Sequence, residues 1–438
     1  MYLVYSVLFS LGIVLTAPYY LWRLRGKIFS AADWRERFGF LPTSFQHDGR
    51  PAIWIHAVSV GETLAVAGLT LELQQRYPEH KIFLSHVTPT GRGAGESRLP
   101  GISGRFYLPL DWGFCIRRAV ERIRPAMLVI AETELWPNLL RAVHESGAKI
   151  ILVNARLSDR SFRRYRWVGP FIRRVLENVD RICAQSPTDG ERFASLGAKR
   201  ERVVFAGNLK FDSVPPRAGE ITHVLENALK LRQRCPILVA ASTMPGEEAL
   251  LLPAWKEIRR THNRALFILA PRHPNRCEEV IHLLTQNNIS LLRRTKLEFE
   301  EGKLDSAEVF LLDTIGELAG LFALADVVYI GGSLVPTGGH NVLEPAYWAK
   351  PIVFGPHMHN FRDIARQFVD GHAAMQVPDA LALSKALLEL LGDPERSRQL
   401  GEAAKNLLAR ESGATKRTLE HIAELLEPSV HTRARDEG

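Results

Sequence analysis

Short apolar runs alternate with helical patterns from residue 51 almost to the carboxyl terminus, and this alternation limits the fold more than any other feature. PAIWIHAV (51–58), KIFLSHVT (81–88), AMLVIAE (126–132), KIILVNAR (149–156), RICAQS (181–186) and RVVFAGN (202–208) read as strands. Stretches of helical apolar spacing lie between them, among them TLAVAGLTLELQQRY (63–77), CIRRAVERIRP and NLLRAVHESGA. Repeated βα units predict a parallel sheet with helices on both faces. FDSVPPRAGE (211–220) breaks the rhythm with Pro-Pro and a Gly, as a linker does. The rhythm restarts at PILVAAST (236–243) and runs through ALFILAPRHP (265–274), ISLLRRT (289–295), AEVFLLD (307–313), ADVVYIGGS (325–333) and KPIVFGP (350–356). A helix near 380–409 and a last one near 414–426 complete the chain. The expected architecture is two doubly wound α/β halves. Ligands of such sheets bind beyond the carboxyl ends of the strands, so the cleft between two facing halves is the expected site.

The chain has 438 residues, enough for two domains. Its cysteines, Cys115, Cys183, Cys235 and Cys277, are scattered, with neither a CxxC pair nor Cys/His metal spacing. A disulfide framework or zinc site is not expected, and a reducing compartment fits. The formal charge of +8 is unevenly spread. Residues 1–212 hold 30 Lys+Arg and 19 Asp+Glu, a net of +11; the rest holds 26 and 29, a net of −3. The basic first half suggests an anionic partner: nucleic acid, a membrane surface or a phosphorylated substrate.

Residues 2–22, YLVYSVLFSLGIVLTAPYYLW, carry no charge and are about long enough to span a bilayer. Arg23, Arg25 and Lys27 follow at once, which places the carboxyl side in the cytoplasm. Tyr19, Tyr20 and Trp22 suit the headgroup belt. A cleaved signal peptide does not fit, because basic residues do not precede the apolar run. Two readings stay open, a spanning anchor and a helix lying in the interface. Both put the protein on the inner face of a membrane.

Several polar clusters fall at expected strand ends. In HAVSVGE (56–62), Glu62 opens a helix, where the dipole favours its charge, and a carboxylate there can also take a proton from a hydroxyl. AETELWPN (131–138) places Glu132 and Glu134 at another strand end, as helix-start acids or as groups that orient substrate. GNLKFD (207–212) places Lys210 before the linker, where it suits a phosphate or carboxylate. NARLSDRSFRRYRWVGPFIRR (154–174) interleaves Arg156, Arg160, Arg163 and Arg164 with Phe162, Tyr165 and Trp167. That mixture describes nucleic-acid binding as well as lipid headgroup binding, and the apolar amino terminus favours the lipid. In the second half, APRHP (270–274) sets Arg272 and His273 at a strand end, and DTIGEL (313–318) supplies Gly316 and Glu317. GGSLVPTGGHNVLEPA (331–346) is glycine-rich. Its backbone N–H groups are expected to approach an anion, helped by a helix beginning near Asn341, with Glu344 accepting from ribose hydroxyls. It is neither a GxGxxG nor a P-loop motif. Together these describe a nucleotide pocket. Clean metal spacing is lacking, so metal-independent chemistry without a cofactor is expected.

HAVSVGE, TPTGRG, ETELWPN, NARLSDRS, GNLKFD, APRHP, DTIGEL and GGSLVPTGGHNVLEPA occur in this order over nearly the whole chain. The set resembles the bacterial 3-deoxy-D-manno-octulosonic acid (Kdo) transferases. The resemblance implies a glycosyltransferase of GT-B type: two facing Rossmann-like doubly wound domains with an amino-terminal membrane-anchor helix. It implies an anchor at 1–25, an acceptor-binding domain at 26–212 and a CMP-Kdo-binding domain at 213–438, the last helix being a candidate to pack back on the amino-terminal domain. Its donor would be CMP-Kdo and its acceptor lipid IVA, with inversion at the anomeric carbon, in lipopolysaccharide synthesis at the inner membrane. Glu62 matches the family's general base, and Glu132 and Lys210 match its transition-state stabilisers. Pro271 and Arg272, Ile315, Gly316 and Glu317, and Asn341, Val342, Leu343 and Glu344 match its CMP-binding segments. Arg156, Arg160, Arg163 and Arg164 are candidates on the acceptor side. Inner-membrane phospholipids are expected partners and nucleic acid is not. A UDP-sugar transferase of GT-B type and a non-catalytic, membrane-tethered nucleotide-binding protein are the rival readings.

Overall fold

The computed structural model describes residues 1–23, 30–212, 217–231, 235–297 and 304–427. The chain divides into two compact units, one of Met1–Val214 with Glu411–Gly438 and one of Pro215–Arg410. Residues 213–216 of the linker expected at 211–220 lie outside the described residues.

In the first unit the strands are β1 (Ala52–His56), β2 (Lys81–His86), β3 (Gly104–Tyr107), β4 (Pro125–Ala131), β5 (Lys149–Ala155), β6 (Arg181–Ala184) and β7 (Val203–Phe205). They form one sheet in the order β3-β2-β1-β4-β5-β6-β7, every pair parallel. Ile53 stands beside Ile82 and Met127, and Trp54 beside Phe83 and Leu128. Successive residues of a strand point to opposite faces. Accordingly Trp54, Phe83, Leu128 and Ile150 share one buried cluster, while Ile53, Ile82, Met127 and Ile151 share another. Both faces are covered, which is why these strands are apolar without alternation.

The second unit repeats the plan. Its strands are β8 (Ile237–Thr243), β9 (Leu266–Pro271), β10 (Leu291–Arg293), β11 (Val309–Leu311), β12 (Val327–Ile330), β13 (Ile352–Phe354) and β14 (Met375–Gln376). The order is β10-β11-β9-β8-β12-β13-β14, again parallel throughout. Trp255, Phe267 and Tyr329 anchor its core. In each sheet the winding reverses once, between β1 and β4 and between β8 and β12. Strand ends diverge at such switch points and leave room for ligands.

Two edge strands, β3 and β14, escaped the sequence reading. GRFY in β3 is short, and Gly104 is fixed there by packing rather than by strand propensity, because a Cβ would strike the Phe45 ring. The long helix expected at 380–409 is two, Ala380–Gly392 and Pro394–Glu411, divided where Pro394 starts the second.

The first helix, Tyr2–Arg23, is correctly placed, but the spanning reading is not supported. Among the described residues no helix is long and apolar enough to cross a membrane. One face of this helix is already spent on the first unit. Tyr2 and Tyr5 lie against Phe171, and Phe9 lies edge-on to Trp112. Ser10 Oγ accepts from Trp112 Nε1 at 2.9 Å, and Ser6 Oγ accepts from Asn138 Nδ2 at 3.1 Å. The opposite face, Leu3, Val4, Val7, Leu8, Leu11, Val14 and Leu15, is exposed. The side chains of Tyr19, Tyr20 and Trp22, and the positions of Arg25 and Lys27, lie outside the described residues.

The last helix, Ala414–Leu426, belongs to the first unit. Leu419 and Ile422 join the cluster behind β1 and β4. Asp212 fastens its start, with Oδ1 accepting from Gly413 N at 2.6 Å and Oδ2 from Thr415 N at 2.5 Å. Asp212→Ala leaves both N–H groups without that acceptor. The loss expected is about 1–2 kcal/mol, read as a lower urea midpoint for the first unit. An unchanged midpoint would show that this cap contributes nothing.

Candidate active site

Glu62 sits in the first turn of the helix Val60–Arg76, reached directly from the end of β1. Ser59 caps this helix and receives Glu62 N at 3.4 Å. The Glu62 carboxylate folds back over the turn: Oε2 accepts from Val58 N at 2.8 Å, and Oε1 from Ser59 Oγ at 2.9 Å. Glu132 follows β4, the neighbour of β1 across the switch point, so the sheet order brings the two acids to the same edge. Glu132 adopts a left-handed backbone (φ 55°) and donates its N–H to Val153 O at 2.9 Å. Its carboxylate meets Lys210 Nζ at 3.3 Å. Lys210 lies in the turn Leu209–Asp212, which is held from beneath by Asn154 Oδ1 on Leu209 N at 2.9 Å. Asn154 is buried at the end of β5, also left-handed (φ 53°), and its Nδ2 has no partner among the described residues. Three of the residues expected to carry chemistry are thus assembled in one unit. Neither the Ser59–Val58 grip on Glu62 nor the role of Asn154 was read from the sequence. The asparagine that opens NARLSDRS at the end of an apolar strand was the available signal.

The electrostatics of this edge are set by burial. Glu62 is raised to about 7, first by desolvation, with Glu134 and Glu132 adding repulsion and the Val58 and Ser59 hydrogen bonds opposing it. Glu134 is also raised, chiefly by burial, with Glu132 contributing. A carboxylate poised near neutrality suits a general base, which must be ionised yet hold a proton well. Of the arginine candidates, Arg160, Arg163 and Arg164 are exposed on the helix Asp159–Trp167, none of whose residues is buried, and Arg156 is half-buried before it. On that helix partial burial raises the pKa of the Tyr165 hydroxyl, and repulsion from Glu134 adds to it.

In the second unit the polar groups gather at the ends of β9, β11 and β12. Arg272 follows β9, donates its N–H to Thr243 O at 3.0 Å, and leaves its guanidinium exposed. Ile315 is exposed at the tip of its turn beside left-handed Gly316. Glu317 is held by Arg294 at 2.9 Å and by the Thr314 hydroxyl. Asn341 Nδ2 donates to Glu344 Oε1 at 3.1 Å, and Asn341 Oδ1 accepts from Leu343 N at 3.0 Å. Pro271, Val342 and Leu343 are buried, so only their backbones face a ligand.

In the glycine-rich loop the N–H groups of residues 331–334 and of Gly339 are already taken. Gly331 N donates to Ala241 O at 2.8 Å, Gly332 N to Glu247 at 2.6 Å, Ser333 N and Leu334 N to Glu247 at 3.0 Å each, and Gly339 N to Gly332 O at 2.7 Å. The helix after it, Leu343–Tyr347, has only five residues and a weak dipole. The glycines serve close packing instead. Gly338 and Gly339 are left-handed, and a Cβ on either would strike Asn360 or Met358. Asn360 N reaches Gly338 O at 2.9 Å, so HMHNF (357–361), unremarked in the sequence, clamps the loop. His340 is held well below its usual pKa, at about 4, by burial and by the charges of Arg272 and His273. Its buried Nε2 has no partner among the described residues. Among the described residues no group of three His, Cys, Asp or Glu has the arrangement of a metal site.

A family model described as 3-deoxy-D-manno-octulosonic-acid transferase (kdotransferase) matches residues 32–213. A 3-deoxy-D-manno-octulosonic acid transferase of Haemophilus influenzae is 34% identical over 397 residues, 90% of this chain and 92% of the relative. One from Bordetella pertussis is 35% identical over 423 residues, 93% of this chain and 96% of the relative. In solved structures, a UDP-N-acetylglucosamine 2-epimerase of Listeria monocytogenes, described as putative, has the same fold: TM-score 0.57 at 12% identity, covering 87% of this chain and 98% of the epimerase. The architecture is of GT-B type.

Glu62 gives a prediction whose sign is determined. Its folded pKa lies above the unfolded value, so its contribution to stability is complete below about 4.3 and is lost as pH rises through about 7. Glu62→Gln cannot ionise. Relative to the parent it should gain stability progressively between about pH 5 and pH 8, measured by urea unfolding at each pH. Parallel curves would give Glu62 an ordinary pKa.

Proposed function

The chain belongs to the 3-deoxy-D-manno-octulosonic acid (Kdo) transferase family, and on that premise we propose that it moves Kdo from CMP-Kdo to lipid IVA with inversion. It is a glycosyltransferase that transfers Kdo; donor, acceptor and stereochemistry are the proposed part. The observation that carries the reading is Glu62, a buried carboxylate raised to about 7 at the switch point of a basic unit. Glu62 takes the proton of the acceptor hydroxyl, and the oxygen attacks the anomeric carbon of Kdo. The bond from that carbon to the phosphate oxygen breaks, and CMP leaves with the electron pair. Inversion follows from a single displacement. Lys210, paired with Glu132, offsets charge near the attacking oxygen. In the second unit Arg272 faces the CMP phosphate, while Ile315–Gly316 and the Asn341–Glu344 pair hold the nucleoside. The proposed reaction needs neither metal nor cofactor, and chelator should leave its rate unchanged. Arg156, Arg160, Arg163 and Arg164 are proposed to meet the phosphates of the acceptor.

Purified enzyme with CMP-Kdo and lipid IVA should yield a glycolipid heavier by Kdo, read by mass spectrometry; turnover with UDP-sugars alone would overturn the donor assignment. Glu62→Gln should lower kcat by about 10²–10⁴ while the dissociation constant for CMP stays that of the parent. Parent kcat/KM should rise with pH and level off above about 7. Full transfer by Glu62→Gln would remove Glu62 from the base role.

The exposed apolar stripe of the first helix supports a place on the inner face of the membrane as an interfacial helix, its lipid contact reinforced by the basic first half. Replacing Leu8 and Leu15 by Glu should abolish cosedimentation with anionic phospholipid vesicles and leave transfer to detergent-dispersed acceptor intact. Undiminished cosedimentation would exclude this face.

A further inference from the structure

Glu247 is a buried acid with no role in the reaction as described. It is fully buried at the start of the helix Glu247–Thr261, just past the end of β8. Its carboxylate accepts five hydrogen bonds. Oε1 receives Tyr329 OH at 2.6 Å and the N–H groups of Ser333 and Leu334 at 3.0 Å each. Oε2 receives Gly332 N at 2.6 Å and Met244 N at 2.9 Å. No ion pair to Glu247 is found among the described residues. A carboxylate offers about four lone-pair sites, so five donors use its whole accepting capacity. Three of these donors are consecutive N–H groups of the glycine-rich loop, and a fourth is the tyrosine of β12 that leads into it.

The effect passes along the loop. Gly332, held by its N–H, uses its own carbonyl to receive Gly339 N at 2.7 Å and Thr337 Oγ1 at 3.1 Å. Gly339 immediately precedes His340 and Asn341, and Asn341 carries the Glu344 pair. Ser333 adds a second tie, its Oγ receiving Gly355 N at 2.8 Å at the end of β13. One acid from the β8 side of the switch point therefore sets the shape of a loop on the β12 side.

We propose that Glu247 is the positioning residue of the nucleotide site: it touches no substrate, but holds the loop 332–341 in the form that presents His340, Asn341 and Glu344 to CMP. This rests on the donor reading above. Glutamine at 247 keeps the volume but points an NH2 at a cluster made only of donors, so the loop loses its template while the sheet stays intact. Phenylalanine at 329 removes one donor of the five and leaves four.

The test is CMP titration by calorimetry, with KM and kcat for CMP-Kdo, on the parent, Glu247→Gln and Tyr329→Phe. Glu247→Gln is expected to raise both the CMP dissociation constant and KM by about tenfold or more, with kcat changed far less. Tyr329→Phe should shift both in the same direction and by less. Amide exchange across 331–341 should quicken in Glu247→Gln. A merely structural role would lower the folded fraction, and so the apparent kcat, while the folded enzyme kept its dissociation constant and KM. That outcome overturns the proposal. Where Glu247→Gln does not fold, Tyr329→Phe decides: parental values of both constants overturn it. A parent enzyme that fails to bind CMP refutes the donor reading instead, and unchanged amide exchange in Glu247→Gln then refutes the template itself.

Discussion

A parallel sheet buries both faces of its strands, and that constraint decides where this chain can keep charge. Trp54 and Ile53 are both inaccessible although they point to opposite faces. Polar groups with chemistry to perform are therefore pushed to the strand ends. The reversal of winding then selects two ends from seven. In the first unit it selects β1 and β4, which carry Glu62 and Glu132; in the second, β8 and β12, which carry Glu247 and the glycine-rich loop. The two units use this place differently. One leaves its carboxylate half-committed and poised near neutrality; the other saturates its carboxylate with donors and makes it scaffolding.

That contrast is energetic as well as topological. Glu62 accepts two hydrogen bonds and has two acidic neighbours, so burial wins and the proton is retained up to about pH 7. A partner such as Lys210 next to Glu62 would hold its charge and weaken it as a base. Lys210 instead pairs with Glu132, whose left-handed backbone turns it out of the strand direction. Glu132, Asn154 and Ser242 all carry positive φ at strand ends. Such conformations are disfavoured for residues with a Cβ and persist where surrounding contacts impose them. Here those contacts are visible: Glu132 N on Val153 O, and Asn154 Oδ1 on Leu209 N.

The βα rhythm was legible because strands buried on both faces are nearly continuous apolar runs, and those runs were found within a few residues of their ends. β3 was not, because GRFY owes its place to the Phe45 ring against Gly104. The two helices at 380–411 merged because Pro394 at a first turn does not interrupt helical spacing. An uncharged run of 21 residues suggested a spanning helix, since spacing does not reveal that Tyr2, Tyr5 and Phe9 are spent on Phe171 and Trp112. At the site, strand-end acids were visible one at a time. Which of them meet depends on sheet order: Glu62 and Glu132 are seventy residues apart in sequence and neighbours by strand pairing. Glu247 was invisible for the same reason, four of its five donors lying 82 to 87 residues further on.

The glycine-rich loop shows how one run of glycines can serve close packing instead of an anion. Glycines beside a phosphate usually suggest N–H groups turned toward the anion. Here a fixed internal carboxylate already occupies the N–H groups of Gly332, Ser333 and Leu334, and an anion would have to displace three hydrogen bonds to compete for them. In the proposed reaction these three N–H groups are therefore not the phosphate's partners, and Arg272 is an exposed cation at the neighbouring strand end. A buried negative charge beneath the loop also disfavours a second anion resting directly on its backbone. The loop turns tightly, through Gly338 and Gly339 against Asn360 and Met358, immediately before His340 and Asn341, so its packing fixes where those two residues stand.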